Sequence, residues 1–160
     1  MALDAIDLRI IAALQEDGRL SNVELSERVG LSPSPCLRRV RRLEDAGLIR
    51  GYVALIDPEA VDLPVTAFVR VRLDRQTDSM LAEFESAVAA FPEVMECYLM
   101  SGEADYQMRV VVSSLAAFES FLREKLTRIT SLAQITSSFA LRPVVYKTSL
   151  PVSVPSGSRT

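Results

Sequence analysis

Residues 31–50 read LSPSPCLRRVRRLEDAGLIR, and this stretch is the one basic block of the chain. It holds five arginines against two acidic residues, whereas the whole chain of 160 residues has a formal net charge of −3. Residues 1–30 have three arginines and six acidic residues, and residues 57–160 have ten basic and thirteen acidic residues. A phosphate backbone would therefore be attracted to residues 31–50. The alternative is an arginine-rich helix face that is merely solvated.

Two helices are predicted ahead of this block. Residues 4–18, DAIDLRIIAALQEDG, place apolar residues at spacings of three and four and stop at a glycine. Residues 21–30, SNVELSERVG, begin with Ser21 as a cap, have Glu24 in the capping-box position and end at Gly30.

A third helix follows within the basic block. Ser32 is placed to cap it, and Pro33 and Pro35 fall in its first turn, where backbone N–H groups have no intrahelical partner. The predicted inward face consists of Cys36, Leu37, Val40 and Leu43. Ser34 and the four arginines then lie on the outer face, and Gly47 ends the helix.

Two helices joined by a tight turn, the second carrying arginines, are typical of a DNA-binding helix-turn-helix. Arg38 is the best candidate for a base contact, whereas Arg39, Arg41 and Arg42 are expected to bind phosphates or lie along the flank. For Ser32 a purely structural capping role is the alternative. The residues assigned to DNA are Ser32, Ser34, Pro35, Arg38, Arg39, Arg41 and Arg42. Residues 48–57, LIRGYVALID, alternate like a short wing or exit strand.

The remaining residues predict a second domain. After the acidic, proline-containing segment 57–64, DPEAVDLP, the patterns run strand, helix, strand, strand, helix, strand. This order fits a ferredoxin-like βαββαβ sandwich, so the fold class is α+β with a winged helix-turn-helix at the amino terminus. One sheet face would be left open, and we expect at least a dimer through this domain.

The predicted domain boundaries follow from these patterns. Residues 1–50 form the helix-turn-helix domain and 51–63 the exit strand and hinge linker. Residues 64–152 form the ferredoxin-like effector-binding and oligomerisation domain, and 153–160 a flexible tail.

A compact turn in the second domain offers a candidate ligand site. Residues 99–108, LMSGEADYQM, contain Gly102, which is free to adopt unusual backbone angles, and Asp105 at the start of the next strand. Exposed N–H groups could hold a carboxylate and Asp105 an ammonium, which are the two ends of an amino acid. The alternative is that both are ordinary hairpin residues. Thr136 and Ser138 share one strand face and are either ligand contacts or solvated.

Composition argues against several classes of protein. The chain has no histidine, so Ser-His-Asp and Cys-His catalysis are ruled out, and no phosphate-binding glycine loop occurs. We expect no enzyme activity, no cofactor and no metal, although an enzyme working through carboxylates or lysine alone stays open. Cys36 and Cys97 are predicted to be buried reduced thiols. No membrane-spanning run or secretory signal is recognisable, and we expect a cytoplasmic protein with no membrane partner.

The chain resembles the Lrp/AsnC, or feast/famine, family of transcription regulators over almost its whole length. The resemblance rests on residues 3–58, LDAIDLRIIAALQEDGRLSNVELSERVGLSPSPCLRRVRRLEDAGLIRGYVALIDP, together with 92–112, PEVMECYLMSGEADYQMRVVV, and 135–151, ITSSFALRPVVYKTSLP. It implies dimers that assemble further, often into octamers, with an amino acid bound between dimers. The implied effector residues are Leu99, Met100, Ser101, Gly102 and Asp105, with Thr136, Ser137 and Ser138 contributed by a neighbouring subunit. Glu103, Ala104 and Gln107 depart from the family pattern.

These observations favour a sequence-specific transcription regulator. Its predicted partners are double-stranded DNA, further copies of itself and an amino acid effector. The expected effector is leucine or another branched-chain or apolar amino acid. Two alternatives stay open. One is an architectural DNA-compacting protein without an effector, and the other is a ferredoxin-like metabolite-binding module that uses the basic helix to dock a protein.

Overall fold

The computed structural model describes residues 2–153, which fall into two compact units. One unit contains residues 2–55 together with 145–153, and the other is Ile56–Val144. This division differs from the predicted boundaries, because residues 145–152 belong to the first unit. The Gln15 side chain holds them there, accepting from the N–H of Leu150 at 2.6 Å and donating to its carbonyl at 3.2 Å. The predicted tail lies outside the described residues except for Ser153.

Three helices build the first unit, as predicted: α1 (Ala5–Glu16), α2 (Asn22–Val29) and α3 (Pro33–Asp45). The capping box of Ser21 and Glu24 is present, and Gly30 ends α2 with a φ of 73°. A second capping box, which the sequence interpretation missed, joins Asp4 and Asp7 at the start of α1. The helices enclose a core of Ile10, Ala13, Leu25, Val29, Cys36 and Leu43.

Two details of α3 differ from the prediction. Ser32 occupies the N-cap position, but its side chain makes no capping hydrogen bond, and Pro35 at the third helical position has no N–H to donate to it. Leu37 was placed on the inward face, whereas 38% of it is exposed while Cys36 and Leu43 are fully buried.

The predicted exit strand at residues 48–57 is wrong for the single chain, since the described residues there form no strand. A strand requires a hydrogen-bonded neighbour, and this segment pairs with none in one copy. The segment is tied to α3 by the Tyr52 hydroxyl, which donates to Glu44 at 3.0 Å. Burial, helped by the Glu44 carboxylate, raises the pKa of Tyr52 to about 12.

The second unit is the predicted βαββαβ sandwich. Its elements are β1 (Val65–Leu73), α4 (Asp78–Ala89), β2 (Val94–Leu99), β3 (Tyr106–Val112), α5 (Leu115–Glu124) and β4 (Leu132–Phe139). The sheet order is β2-β3-β1-β4, and every pair is antiparallel. Alternate strand residues such as Val69 and Met108 pack with Phe84 and Phe121 of the helices, which cover one face of the sheet.

The strand-like pattern of residues 133–150, AQITSSFALRPVVYKTSL, predicts one long final strand, but the observed strand is shorter. Strand β4 ends at Phe139, and Ala140 donates the next hydrogen bond, to the Thr66 carbonyl at 2.9 Å. Because β1 begins at Val65, the chain beyond Ala140 has no neighbour to continue the ladder. No helix among the described residues is long and apolar enough to cross a membrane.

Candidate functional site

Helix α3 divides its side chains among three faces. Cys36 and Leu43 lie in the core, while Arg39 and Arg42 turn toward α1. The third face is a solvent-exposed row at spacings of three and four, which we call the open stripe. The open stripe consists of Ser34, Leu37, Arg38, Arg41 and Asp45. Together with Arg42 and Ala46, these residues line a shallow cavity of about 710 Å³.

The four arginines predicted on the outer face of α3 therefore fall into two pairs. Arg39 donates to Asp4 at 2.7 Å and to Asp7 at 2.8 Å, and Arg42 donates to the other oxygen of Asp7 at 2.6 Å. Arg38 and Arg41 have no ion-pair partner within residues 2–153. These two guanidinium groups are the ones available to phosphates or base edges.

Asp7 is the residue that organises this arrangement. Its side chain is 1% exposed, and each of its oxygens accepts a hydrogen bond from an arginine of α3. A buried carboxylate is tolerated only when charged donors compensate its desolvation. The sequence interpretation counted Asp4 and Asp7 only as acidic charge. Their spacing of three at a helix start was the signal that could have revealed the capping box.

The remaining residues assigned to DNA lie near the start of α3. Ser32 and Ser34 are exposed, whereas Pro35 is half-buried. Asn22 of α2 donates from its side chain to the Pro33 carbonyl at 2.9 Å, which fastens the start of α3 to the preceding helix. The two exposed serines therefore lie at the N-terminal end of α3, where the open stripe begins.

The candidate ligand loop, residues 99–105, connects β2 to β3. Asp105 is 5% exposed, and its carboxylate accepts from the Leu73 N–H at 2.7 Å and from the Gln76 side chain. The expectation that this carboxylate stands free for an ammonium group is therefore not met in the single chain. The buried acid instead needs those donors, and they fix the loop against the end of β1.

The backbone of this loop does offer donors. Met100 donates to the Asp105 carbonyl at 2.8 Å, which closes the hairpin, and the Asp105 N–H donates to the carbonyl of Val71 on β1 at 2.9 Å. The N–H groups of residues 101–104 donate to no acceptor among the described residues. Gly102 has a φ of 143°, a conformation that side chains rarely adopt. Leu99 and Met100 are exposed beside it, at 63% and 43%.

Thr136, Ser137 and Ser138 lie on edge strand β4, away from this loop. Thr136 and Ser138 point to the open sheet face, opposite Arg70 and Phe68 of β1, whereas Ser137 is half-buried on the other face. Strands β3 and β1 separate β4 from β2, a distance of about 14 Å across three strand spacings. One chain therefore does not bring the two sets of predicted effector residues together.

A second cavity of about 300 Å³ lies between α4 and β2. Leu99 and Cys97 line it, as does the buried Tyr106, whose hydroxyl donates to Glu85 at 2.8 Å. Cys36 is a buried free thiol as predicted, but Cys97 is exposed because β2 is an edge strand. The prediction that both cysteines are buried is thus wrong for Cys97.

A helix-turn-helix with unpaired arginines, joined to a ferredoxin-like domain with an exposed hairpin loop, defines a DNA-binding regulator with a ligand-binding domain. Two family models match: winged helix-turn-helix DNA-binding over residues 3–50, and Lrp/AsnC ligand binding domain over residues 66–150. The chain belongs to the Lrp/AsnC family of DNA-binding transcriptional regulators.

Individual relatives agree with this membership. The Bkd operon transcriptional regulator of Pseudomonas aeruginosa is 48% identical over 94% of this chain and 98% of its own length. The leucine-responsive regulatory protein of Rhizobium meliloti is 45% identical over 89% of this chain and 91% of its own. The crystal structure of a Neisseria meningitidis transcriptional regulator in complex with L-methionine has a TM-score of 0.88 and 45% identity, covering 94% and 97% of the two chains.

Proposed function

We propose that this regulator is sequence-specific and that an apolar amino acid, leucine or another branched-chain one, controls its DNA binding. The observation that carries the proposal is the loop at residues 99–105. It combines free backbone donors at 101–104 with exposed apolar side chains at Leu99 and Met100. Such a loop can bind an amino acid's carboxylate and its side chain at once.

The names of similar proteins support an amino acid as effector. One relative is called leucine-responsive, and one similar structure holds L-methionine. Leucine and methionine are both apolar amino acids of similar volume, and such a ligand suits contact with the Leu99 and Met100 side chains. In this proposal Asp105 shapes the loop through Leu73 and Gln76, and Thr136, Ser137 and Ser138 of a neighbouring subunit complete the site.

The proposed site therefore requires an oligomer, a homodimer assembling further, with an octamer as the proposed final state. Several apolar side chains that one copy leaves exposed support this step. They are Val53, Leu55, Ile56, Phe139, Leu141, Val144, Val145 and Tyr146. Exposed apolar side chains in each of the two units are suited to burial against another copy of the chain.

The DNA-binding surface in this proposal is the open stripe. Arg38 and Arg41 carry unneutralised charge and supply the salt-dependent attraction to phosphates. The small Ser34 and Ser32 at the start of α3 allow a close approach to base edges in the major groove. Arg39 and Arg42 stabilise the packing of α3 against α1 and are not assigned to DNA contacts in this proposal.

Calorimetric titration of the purified oligomer with each of the twenty amino acids tests the effector assignment. We expect binding heat with leucine or another branched-chain or apolar amino acid. Gly102→Ala should abolish it, because a side chain at a φ of 143° distorts the loop. Gly30→Ala is the matched control, since it strains a backbone with a φ of 73° in the first unit and should leave the heat unchanged.

Two results would contradict the proposal. Silence across all twenty amino acids in the wild type would favour the architectural, effector-free alternative. Heat that survives Gly102→Ala would place the amino acid somewhere other than the loop.

A further inference from the structure

Leu37 occupies an unusual position on α3. It is 38% exposed and belongs to the open stripe, three residues after Ser34, directly before Arg38 and four residues before Arg41. The core positions of the helix belong to Cys36 and Leu43, which are fully buried. Leu37 is thus an apolar side chain presented to solvent in the middle of a polar, basic surface.

The surroundings of Leu37 leave its side chain available to a partner. Arg39 and Arg42 are engaged by Asp4 and Asp7, and of these two arginines only Arg42 also borders the cavity beside the open stripe. The cavity of about 710 Å³ that contains Leu37 is shallow, and its charged lining consists of Arg38, Arg41 and Arg42 with a single acidic residue, Asp45. An apolar contact flanked by two unpaired cations suits a polyanion that also carries apolar groups.

Duplex DNA has that combination of properties. Each thymine places a 5-methyl group in the major groove, between the phosphates of the two strands, and apolar side chains contact it directly. We propose that Leu37 is a specificity-determining residue that packs against the 5-methyl group of a thymine while Arg38 and Arg41 contact neighbouring bases and phosphates. This inference rests on the proposed sequence-specific DNA binding.

The occupant could instead be an apolar protein surface, but the charges argue against it. A protein partner would have to bury Leu37 and desolvate Arg38 and Arg41 beside it, which is costly unless matching carboxylates are supplied. DNA meets both requirements with one surface, because its phosphates accept from the arginines.

The test begins with the duplex sequence that the wild-type oligomer enriches from a random DNA library. Each thymine of that duplex is then replaced singly by uracil, which removes only the 5-methyl group. We expect wild type to lose about fourfold in affinity at one or more thymines, the worth of one buried methyl group. Leu37→Ala should bind the thymine and uracil duplexes equally.

Two further variants separate base reading from folding. Leu37→Met keeps an apolar side chain of similar size and should retain the preference for thymine. Val40→Ala, which removes a half-buried side chain packed on the core of the first unit, should lower stability without changing the thymine-to-uracil ratio.

Wild-type binding that is indifferent to every uracil substitution would overturn the assignment. So would a Leu37→Ala variant that keeps the wild-type ratio. Failure of the proposed function looks different: the library would yield no enriched sequence at all.

Discussion

Asp7 shows how one buried side chain sets the properties of a surface. Its two oxygens bind Arg39 and Arg42, so of the four clustered arginines of α3 only Arg38 and Arg41 remain unpaired among the described residues. Counting charges along the sequence treats all four as equivalent. In the structure, Arg39 and Arg42 are bound to Asp7 of α1, whereas Arg38 and Arg41 are exposed and unpaired among the described residues.

Salt dependence of DNA binding distinguishes these two roles. Replacing Arg41 by Ala should weaken binding to all sequences alike and reduce the slope of log affinity against log salt by about 0.9 for each subunit that contacts the DNA. Replacing Arg38 by Ala should cost about 1–3 kcal/mol at one base position and relax the preference there. Fluorescence anisotropy titrations at several salt concentrations measure both effects.

Arg39→Gln provides the matched comparison, because its guanidinium is already bound to Asp4 and Asp7. Its salt slope should equal that of wild type. A slope reduced as much as in Arg41→Ala would show that Arg39 reaches a phosphate and that the separation into two pairs is wrong.

Removing the charge of Asp7 tests whether its ion pairs with Arg39 and Arg42 stabilise the first unit. Asp7→Asn should lower the free energy of unfolding by about 1–3 kcal/mol, since a buried acceptor of two charged donors is lost. Glu16→Gln is the control, because it breaks the exposed pair with Arg28 and should cost about 0–1 kcal/mol. Urea unfolding gives both values, and equal costs would contradict the assigned role of Asp7.

At the scale of the elements, local sequence signals predicted a large part of what the structure contains. The Ser21 capping box, the stop at Gly30 and the alternation of Val65 to Leu73 depend on neighbours in the chain, so they are readable from it. The predictions were wrong where residues distant in the sequence determine the local structure. Leu37 faces solvent because the core is filled by other residues, and segment 48–57 is not a strand because no neighbour pairs with it.

In the candidate sites as well, features set by neighbouring residues could be predicted from the sequence, whereas contacts between distant residues could not. The glycine conformation at 102 was foreseeable, because a tight hairpin favours it. The engagement of Asp105 by Leu73 and Gln76 was not, because those residues are about thirty positions away and meet it only through the sheet. The pairing of Asp7 with Arg39 and Arg42 likewise spans two helices.

Helix capping should make the first unit sensitive to acid. The N–H of Asp7 and then Arg39 hold the pKa of Asp4 below its usual 3.8, and Ser21 holds that of Glu24 below 4.5. Groups with lowered pKa values stabilise the fold above their unfolded values, and this contribution is lost as pH falls through the folded ones. The loss should therefore begin below about pH 4.5 and continue below pH 3.8.

Thermal unfolding between pH 3 and 6, followed by circular dichroism, would measure this dependence. Asp4→Asn and Glu24→Gln should each flatten the acid limb of the stability curve. A limb as steep in the double variant as in wild type would contradict the assignment to these caps.

The open face of the sheet is the surface of the second unit that is suited to assembly with another copy. Phe68 lies on the central strand β1, on the sheet face opposite the helices, and is 40% exposed. It is paired across the sheet with Arg109 and Ser138. An aromatic side chain in the middle of an open face is suited to burial against a second copy.

Phe68→Glu should therefore reduce the particle mass measured by light scattering at a given concentration, because a charge at that position must be desolvated on association. Leu115→Glu is the control. Leu115 is 63% exposed at the start of α5, where an acid is favourable, and the particle mass should stay that of wild type. An unchanged mass for Phe68→Glu would show that the open face does not carry the dimer.

An amino acid effector regulates transcription through this protein only if it changes the affinity of the protein for DNA. The wild-type oligomer is titrated against its selected duplex, at fixed salt, with and without a saturating concentration of leucine or whichever amino acid gives binding heat. We expect the apparent Kd to change by about 5-fold or more, the range of typical allosteric coupling. Superimposable curves would contradict the claim, because an effector that leaves DNA affinity unchanged does not regulate it through this protein.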